Sequence, residues 1–383
     1  MRGNITRRGK TSWRLKIEIG RDANGNRKIH YETVRGKRAD AERKLTDLLK
    51  SLDDRTLVDK SNVTVAEFLD RWDRDWAVDN LSPKTVERFR ELIRLHIKPR
   101  IGAVKLQELK PADLAEFYAT LSREGRIRGG KLSPATIGQI HRIAHRAFGH
   151  AVAWAAVRTN VAAVARPPKK IAEEVQILTP EQVDAVLTET VGLPLHPIIV
   201  VALGTGARRG EIMALRWRDI DFDAGRARIE RSLEQTKAGL RFKSPKTKYG
   251  RRNIALPASV ITEFRSVWKA QQELRLALGM GKAAPDDLVF ATPEGEPRKP
   301  DDISREWRQL VASRKLPKVT FHSLRHTHVS QLIAKGMDIM TISRRIGHSS
   351  PVVTLGVYGH LFDNGDAKAA SAIEASFGKL RTE

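Results

Sequence analysis

The chain has 383 residues, 69 Lys+Arg against 45 Asp+Glu, a formal net charge of +24 and no cysteine. That length calls for two or three domains, because one hydrophobic core rarely serves more than about 250–300 residues, and a chain without cysteine has no disulfide framework, thiolate nucleophile or Cys-based zinc module. The start, MRGNITRRGK, lacks the apolar stretch of a secretory signal, and the longest aliphatic run, Ile198 to Leu203, is far short of the roughly 20 residues that cross a bilayer. These features describe a soluble, multidomain, intracellular protein, and a basic surplus of this size points to a polyanion partner.

The charge is spread along the chain, with net +8 over residues 1–60, +9 over 61–170 and +7 over 171–383. A basic tail on a neutral enzyme would concentrate it at one end, so each segment is a candidate to touch the polyanion. Residues 1–56 read as a small three-stranded sheet plus a helix. Trp13, Leu15, Ile17 and Ile19 alternate with Arg14, Lys16 and Glu18, the period of a half-buried strand. Ile29, Tyr31 and Thr33 alternate again on a return strand, and Ala41, Leu45, Leu48, Leu49 and Leu52 follow helical spacing. The exposed strand face is basic, and Arg14 and Lys16 are candidate DNA contacts on it.

Residues 63–166 read as four helices. Thr64 and Glu67 form a capping box before Phe68, Leu69, Trp72 and Trp76. Ser82-Pro83 opens a second helix with Val86, Phe89, Ile93 and Ile97 on one face, expected to stop before Pro99. Lys110-Pro111 opens a third, and Ser133-Pro134 a fourth that runs to Trp154. On the fourth, His141, Arg142, His145 and Arg146 form a basic stripe at helical spacing, a second set of candidate DNA contacts. Arg166-Pro167-Pro168 marks a linker, and residues 176–383 then form a mixed α/β domain with a three-stranded meander expected over Arg226 to Pro257.

Four separated pieces of this last domain carry unusual polar residues. They are GTGARRGE (204–211) with LRWRDID (215–221), SPKTK (244–248) followed by Arg251-Arg252, HSLRHTH (322–328), and IGHSS (346–350) with Tyr358 beyond it. Arg208, Lys246 and Arg325 with two histidines make a cationic pocket, and a phosphodiester transition state spreads negative charge over oxygens that guanidinium forks match. Tyr358 is the nucleophile candidate, since Tyr31 and Tyr118 lie in the binding modules and Tyr249 in a turn. A phenol needs a base or a cationic field before it attacks; His322 is the candidate acceptor of its proton and Lys246 the donor to the departing 5′-oxygen. His322 and His326 have the spacing of two metal ligands, but a third ligand is wanting and Arg325 stands between them, so no metal is expected.

In order and spacing this set resembles the signature of the tyrosine recombinases, the phage-integrase family. The resemblance covers residues 176–383, and the two preceding modules are similar to the arm-type (1–56) and core-binding (63–166) DNA-binding domains of phage-type integrases. It implies that Arg208 and Arg325 clamp the scissile phosphate and that Glu211 supports the first arginine. It further implies that Lys246 protonates the leaving oxygen, His322 serves in acid–base exchange, His348 bonds the phosphate and Tyr358 forms a 3′-phosphotyrosyl link. Gly356 stands where many relatives carry a larger residue, and His328 lies outside the positions that carry the chemistry.

The implied function is site-specific recombination that integrates or excises a phage or mobile element through a Holliday junction. The implied partners are double-stranded attachment sites of core and arm type, a homotetramer on DNA, a host DNA-bending protein and an excision factor, in the bacterial cytoplasm, with no cofactor and no membrane. Two alternatives stand beside it: a chromosome-dimer or plasmid resolvase of the same family, and a non-catalytic DNA-binding regulator that kept the fold.

Overall fold

Alternating apolar residues make the first sheet. Strands β1 (Gly3–Arg7), β2 (Ser12–Arg21) and β3 (Arg27–Arg35) pair antiparallel in that order. Leu15 and Ile17 of β2 turn one way and pack on Ala41 and Leu48 of helix α1 (Arg38–Asp53). The register sets Lys16 against Asn4 and Tyr31, and Arg14 against Thr6 and Thr33, so the opposite face is polar and basic. The computed structural model describes residues 3–21, 25–53, 58–126, 129–170, 175–245, 248–362 and 366–378. They divide into two units, 1–172 and 173–383; the sheet module and the helical bundle both fall in the first, each with its own core.

The bundle comprises α2 (Val65–Trp72), α3 (Val78–Asn80), α4 (Pro83–Leu92), α5 (Lys98–Ile101), α6 (Pro111–Glu124), α7 (Pro134–Ala153) and α8 (Val161–Val164). The Thr64–Glu67 capping box closes the start of α2, with the Thr64 backbone N–H donating to Glu67 Oε2 at 2.8 Å. Two π-helical turns, Asp73–Ala77 and Ile93–Ile97, carry α2 into α3 and α4 into α5. The second corrects the expected stop before Pro99: Lys98 N–H bonds Ile93 O five residues back, and Pro99 falls in the first turn of α5, where a missing N–H costs no bond. Trp72, Phe117, Tyr118, Ile140, Ala144, Ala147 and Phe148 are among the buried side chains that fill the bundle.

In the second unit, α9 (Pro180–Thr190) precedes α10 (His196–Thr205), whose apolar residues are buried almost all round. Next come α11 (Arg209–Ile212), β4 (Ile220–Asp221), β5 (Arg226–Ile229), β6 (Ser232–Thr236), β7 (Gly239–Lys243) and β8 (Arg252–Ala255). The expected meander is instead two sheets: β4-β5-β8, and a separate β6–β7 hairpin. The chain leaves the first sheet at Glu230-Arg231, where Glu230 accepts from Arg216 at 3.0 Å and Arg231 Nε donates to Ala214 O at 3.0 Å. Helices α12 (Ala258–Ala277), α13 (Pro300–Ser313), α14 (Phe321–Ala334), α15 (Ile339–Ile346), α16 (Pro351–Tyr358) and α17 (Asp366–Gly378) complete the order. Among the described residues, no helix is long and apolar enough to cross a membrane.

Candidate active site

Helix ends build this site. Helix α10 ends at Gly206, left-handed at φ 64°, and α15 ends at Gly347, left-handed at φ 67°. Neither position has room for a side chain: a Cβ at 206 would meet His328 at 2.5 Å, and one at 347 would meet Arg252 Nη1 at 2.9 Å. A helix C-terminus leaves carbonyls without intrahelical partners and carries partial negative charge. Arg325, on the second turn of α14, fills both ends, donating from Nη1 to Gly206 O at 2.6 Å and from Nη2 to Ile346 O at 2.7 Å. It is 3% exposed, and burial followed by the neighbouring Arg208 charge pushes its pKa down to about 9, so the guanidinium stays charged at neutral pH.

Arg208 stands at the start of α11. Its Nη1 donates to Glu211 Oε1 at 2.9 Å, its backbone N–H to Glu211 Oε2 at 2.9 Å and its Nη2 to Gly347 O at 3.3 Å. Glu211 is shared with Arg252 of β8, whose Nη2 donates to Oε2 at 2.9 Å and whose Nε donates to Arg345 O at 2.7 Å. Burial alone would raise the Glu211 pKa, but Arg252 and Arg208 outweigh it and hold the carboxylate ionised below its ordinary value. Two guanidiniums therefore hold one carboxylate, and with Arg325 bound to backbone carbonyls the site is short of negative charge.

Tyr358, the last residue of α16, is 1% exposed and packs with Val329, Ile333, Ile342 and Ile346. Burial pushes its pKa up to about 12, offset in part by Arg325 and Arg208. Its hydroxyl lies 2.6 Å from His326 Nδ1. His322, one turn earlier on α14, is exposed and meets His326 ring to ring, centroids 4.8 Å apart and nearly perpendicular. His348 follows the Gly347 cap and pairs through Nδ1 with the buried Thr354 hydroxyl at 2.9 Å. Desolvation, then Arg325, Arg208 and Arg252, push the His348 imidazole down to about 4, so it is neutral at pH 7, and desolvation lowers His322 in the same direction, with His326 and the nearby arginines contributing. Lys246 lies outside the described residues. Among the described residues, no three His, Asp or Glu side chains gather as metal ligands.

A neutral-histidine, guanidinium-rich site with a buried phenol suits a phosphodiester, and comparison with known proteins points the same way. The Phage integrase family matches residues 176–364, and the Phage integrase N-terminal SAM-like domain matches residues 64–122. The chain belongs to the phage integrase family. As a tyrosine recombinase it is an enzyme of site-specific DNA recombination, and its mainly helical architecture with small antiparallel sheets is that of the family. It is similar to a XerC-like tyrosine recombinase of Caldanaerobacter subterraneus subsp. tengcongensis, 25% identical over 98% of each chain. It is also similar to the Tn1549 transposon integrase solved with transposon right end DNA, at 25% identity and TM-score 0.68, over 82% of this chain and 99% of that one. A lambda integrase tetramer bound to a Holliday junction shares the fold, at 19% identity and TM-score 0.54, over 91% and 96% of the two chains.

Within this recombinase, Arg208, Glu211, Arg325, His348 and Tyr358 are brought to one site from α11, α14, α16 and the turn after α15. Two neighbours were not singled out from sequence. Arg252 was visible only as the second of two arginines after SPKTK, and His326 only as a possible metal ligand; neither run says which distant residue the side chain meets. His328 proves structural: Arg345 Nε donates to its Nε2 at 3.0 Å and its Nδ1–H to Leu203 O at 2.7 Å, tying α10, α14 and α15 together. The LRWRDID segment is structural too, with Arg216 bound to Asp219, Glu230 and Asp286.

On the first unit, Lys16 is exposed and Arg14 is half-buried, its guanidinium 5.7 Å from the centroid of the Tyr31 ring. Arg142, His145 and Arg146 are exposed along α7, with Arg146 over the Trp76 ring at 5.7 Å. His141 is half-buried and holds the Tyr118 hydroxyl at 3.0 Å, so it faces the bundle more than solvent.

Proposed function

We propose that this recombinase cuts and rejoins DNA through Tyr358, forming a 3′-phosphotyrosyl intermediate and passing through a Holliday junction to integrate or excise a mobile element. The observation that carries the reading is Arg325, seated in two helix-end carbonyls beside Arg208, next to a phenol hydroxyl already held by a ring nitrogen. Preorganised donors of this kind stabilise the charge of a phosphoryl transition state without reorganising. Tyr358 Oη bonds to phosphorus, the bond to the 5′-oxygen breaks, and the phenol proton passes to the histidine cluster while Lys246 protonates the leaving oxygen. The phosphotyrosine conserves the broken bond, so rejoining by the incoming 5′-hydroxyl needs no nucleotide.

Arm-type sites fall to the basic sheet of residues 1–56 and core-type sites to the bundle of residues 63–166 with the catalytic unit. A tetramer on DNA follows by similarity to the lambda assembly, and a bending protein and an excision factor are its expected helpers. The full chain, incubated with a nicked duplex carrying an element end, is expected to trap a covalent adduct. Tyr358→Phe should bind the same duplex with unchanged affinity and trap none. A wild-type chain that binds the duplex and forms no adduct overturns the reading and favours the non-catalytic regulator.

A further inference from the structure

We propose that His326 is the catalytic residue that takes the Tyr358 proton when the strand is cut and returns it when the strand is rejoined. This rests on the phosphotyrosyl reading above. Among the described residues, the hydrogen-bond partner of Tyr358 Oη is His326 Nδ1 at 2.6 Å. A phenol donating to Nδ1 requires the ring's own hydrogen on Nε2, the neutral tautomer that can accept a second proton. Bulk water is a poor rival as acceptor, because Tyr358 is 1% exposed. His322 is one helical turn away and exposed, and it meets His326 by ring packing. Desolvation and then Arg325 lower the His326 pKa, which keeps the ring unprotonated and ready at neutral pH.

The step balances without a co-reactant. As the Oη–P bond forms and the P–O5′ bond breaks, the phenol proton moves to Nδ1 and His326 becomes an imidazolium. On rejoining, the incoming 5′-oxygen bonds to phosphorus, the P–Oη bond breaks, and the imidazolium returns its proton to the departing phenolate. The proton for the leaving 5′-oxygen comes from a different group, proposed above as Lys246, and that separation makes the assignment testable.

The experiment follows covalent adduct formation by the full chain on a nicked element-end duplex, with an ordinary 5′-oxygen or with sulfur in its place at the scissile bond. Sulfur leaves without needing a proton. His326→Asn keeps an acceptor atom near the Nδ1 position but takes no proton, and it should slow adduct formation about 10²–10⁴-fold with DNA binding retained. The loss should persist on the sulfur substrate, whereas the loss in Lys246→Ala should be relieved there. A wild-type rate in His326→Asn, relief of its loss by sulfur, or a sulfur-resistant loss found in His322→Asn but not in His326→Asn overturns the assignment. ¹⁵N NMR of the unaltered site serves should the variant not fold: the His326 Nδ1 resonance must shift on Tyr358→Phe, and an unmoved resonance overturns it equally. A wild-type chain that traps no adduct at all sinks the phosphotyrosyl reading instead.

Discussion

Arg252 and Glu211 form a pair in which both side chains are almost wholly buried, 6% and 5% exposed. Removing one partner of such a pair leaves a buried charge, which typically costs about 3–5 kcal/mol. Glu211 would keep Arg208, so Arg252→Ala is expected at the lower end, about 3 kcal/mol, measured by urea unfolding of the full chain. The sign with pH follows from the same contacts. Glu211 has a lowered folded pKa, so its contribution is present above the ordinary carboxylate value and is lost as pH falls through the folded one. Without Arg252, burial dominates and the folded pKa climbs above the ordinary carboxylate value, so the variant should regain part of its lost stability as pH falls through that raised pKa, and its gap to the wild type should narrow in acid. Equal acid-unfolding profiles would show that Arg208 alone holds the carboxylate.

Helix α16 is where an element controls a residue. Its last turn delivers Tyr358, and Gly356 lies two positions before it with open space where a Cβ would stand. Glycine inside a helix costs about 0.5–1 kcal/mol relative to alanine, mostly as backbone freedom. Gly356→Ala should therefore raise the thermal midpoint of the catalytic unit by about 2–4 °C per kcal/mol gained. If that freedom lets the tyrosine segment meet DNA, adduct formation should slow in the same variant. A stabilised variant that reacts at the wild-type rate would leave Gly356 without a part in catalysis. The Ile93–Ile97 π turn of the bundle teaches a related lesson, since a proline that ends a regular helix can follow a widened one, as Pro99 does.

For the whole molecule, a charge of +24 spread over every segment predicts binding that falls steeply with salt. A protein neutralising about 6–10 phosphates loses roughly 10³–10⁵ in affinity between about 50 and 200 mM salt. Replacing Arg14 and Lys16 by glutamine should reduce the salt slope by about 2 on arm-type duplexes and leave it unchanged on core-type ones. The check is a titration at several salt concentrations on each duplex, and equal slopes on both would remove the amino-terminal sheet from arm recognition.

Local chemistry was enough for much of this protein. Alternation specified the sheet around Leu15 and Ile17, and Thr64–Glu67 and Ser133-Pro134 marked helix starts, because period and cap depend on residues within one turn of each other. The motif runs also named most of the arginines and histidines now found together. Tertiary structure decided which of them touch. Arg252 meets Glu211 from 41 positions away, and His326 meets Tyr358 from 32, distances over which no helix or strand period carries information. It also placed the Gly206 and Ile346 carbonyls where one guanidinium spans them, since only packing of α10 against α14 and α15 brings two helix ends to the same point.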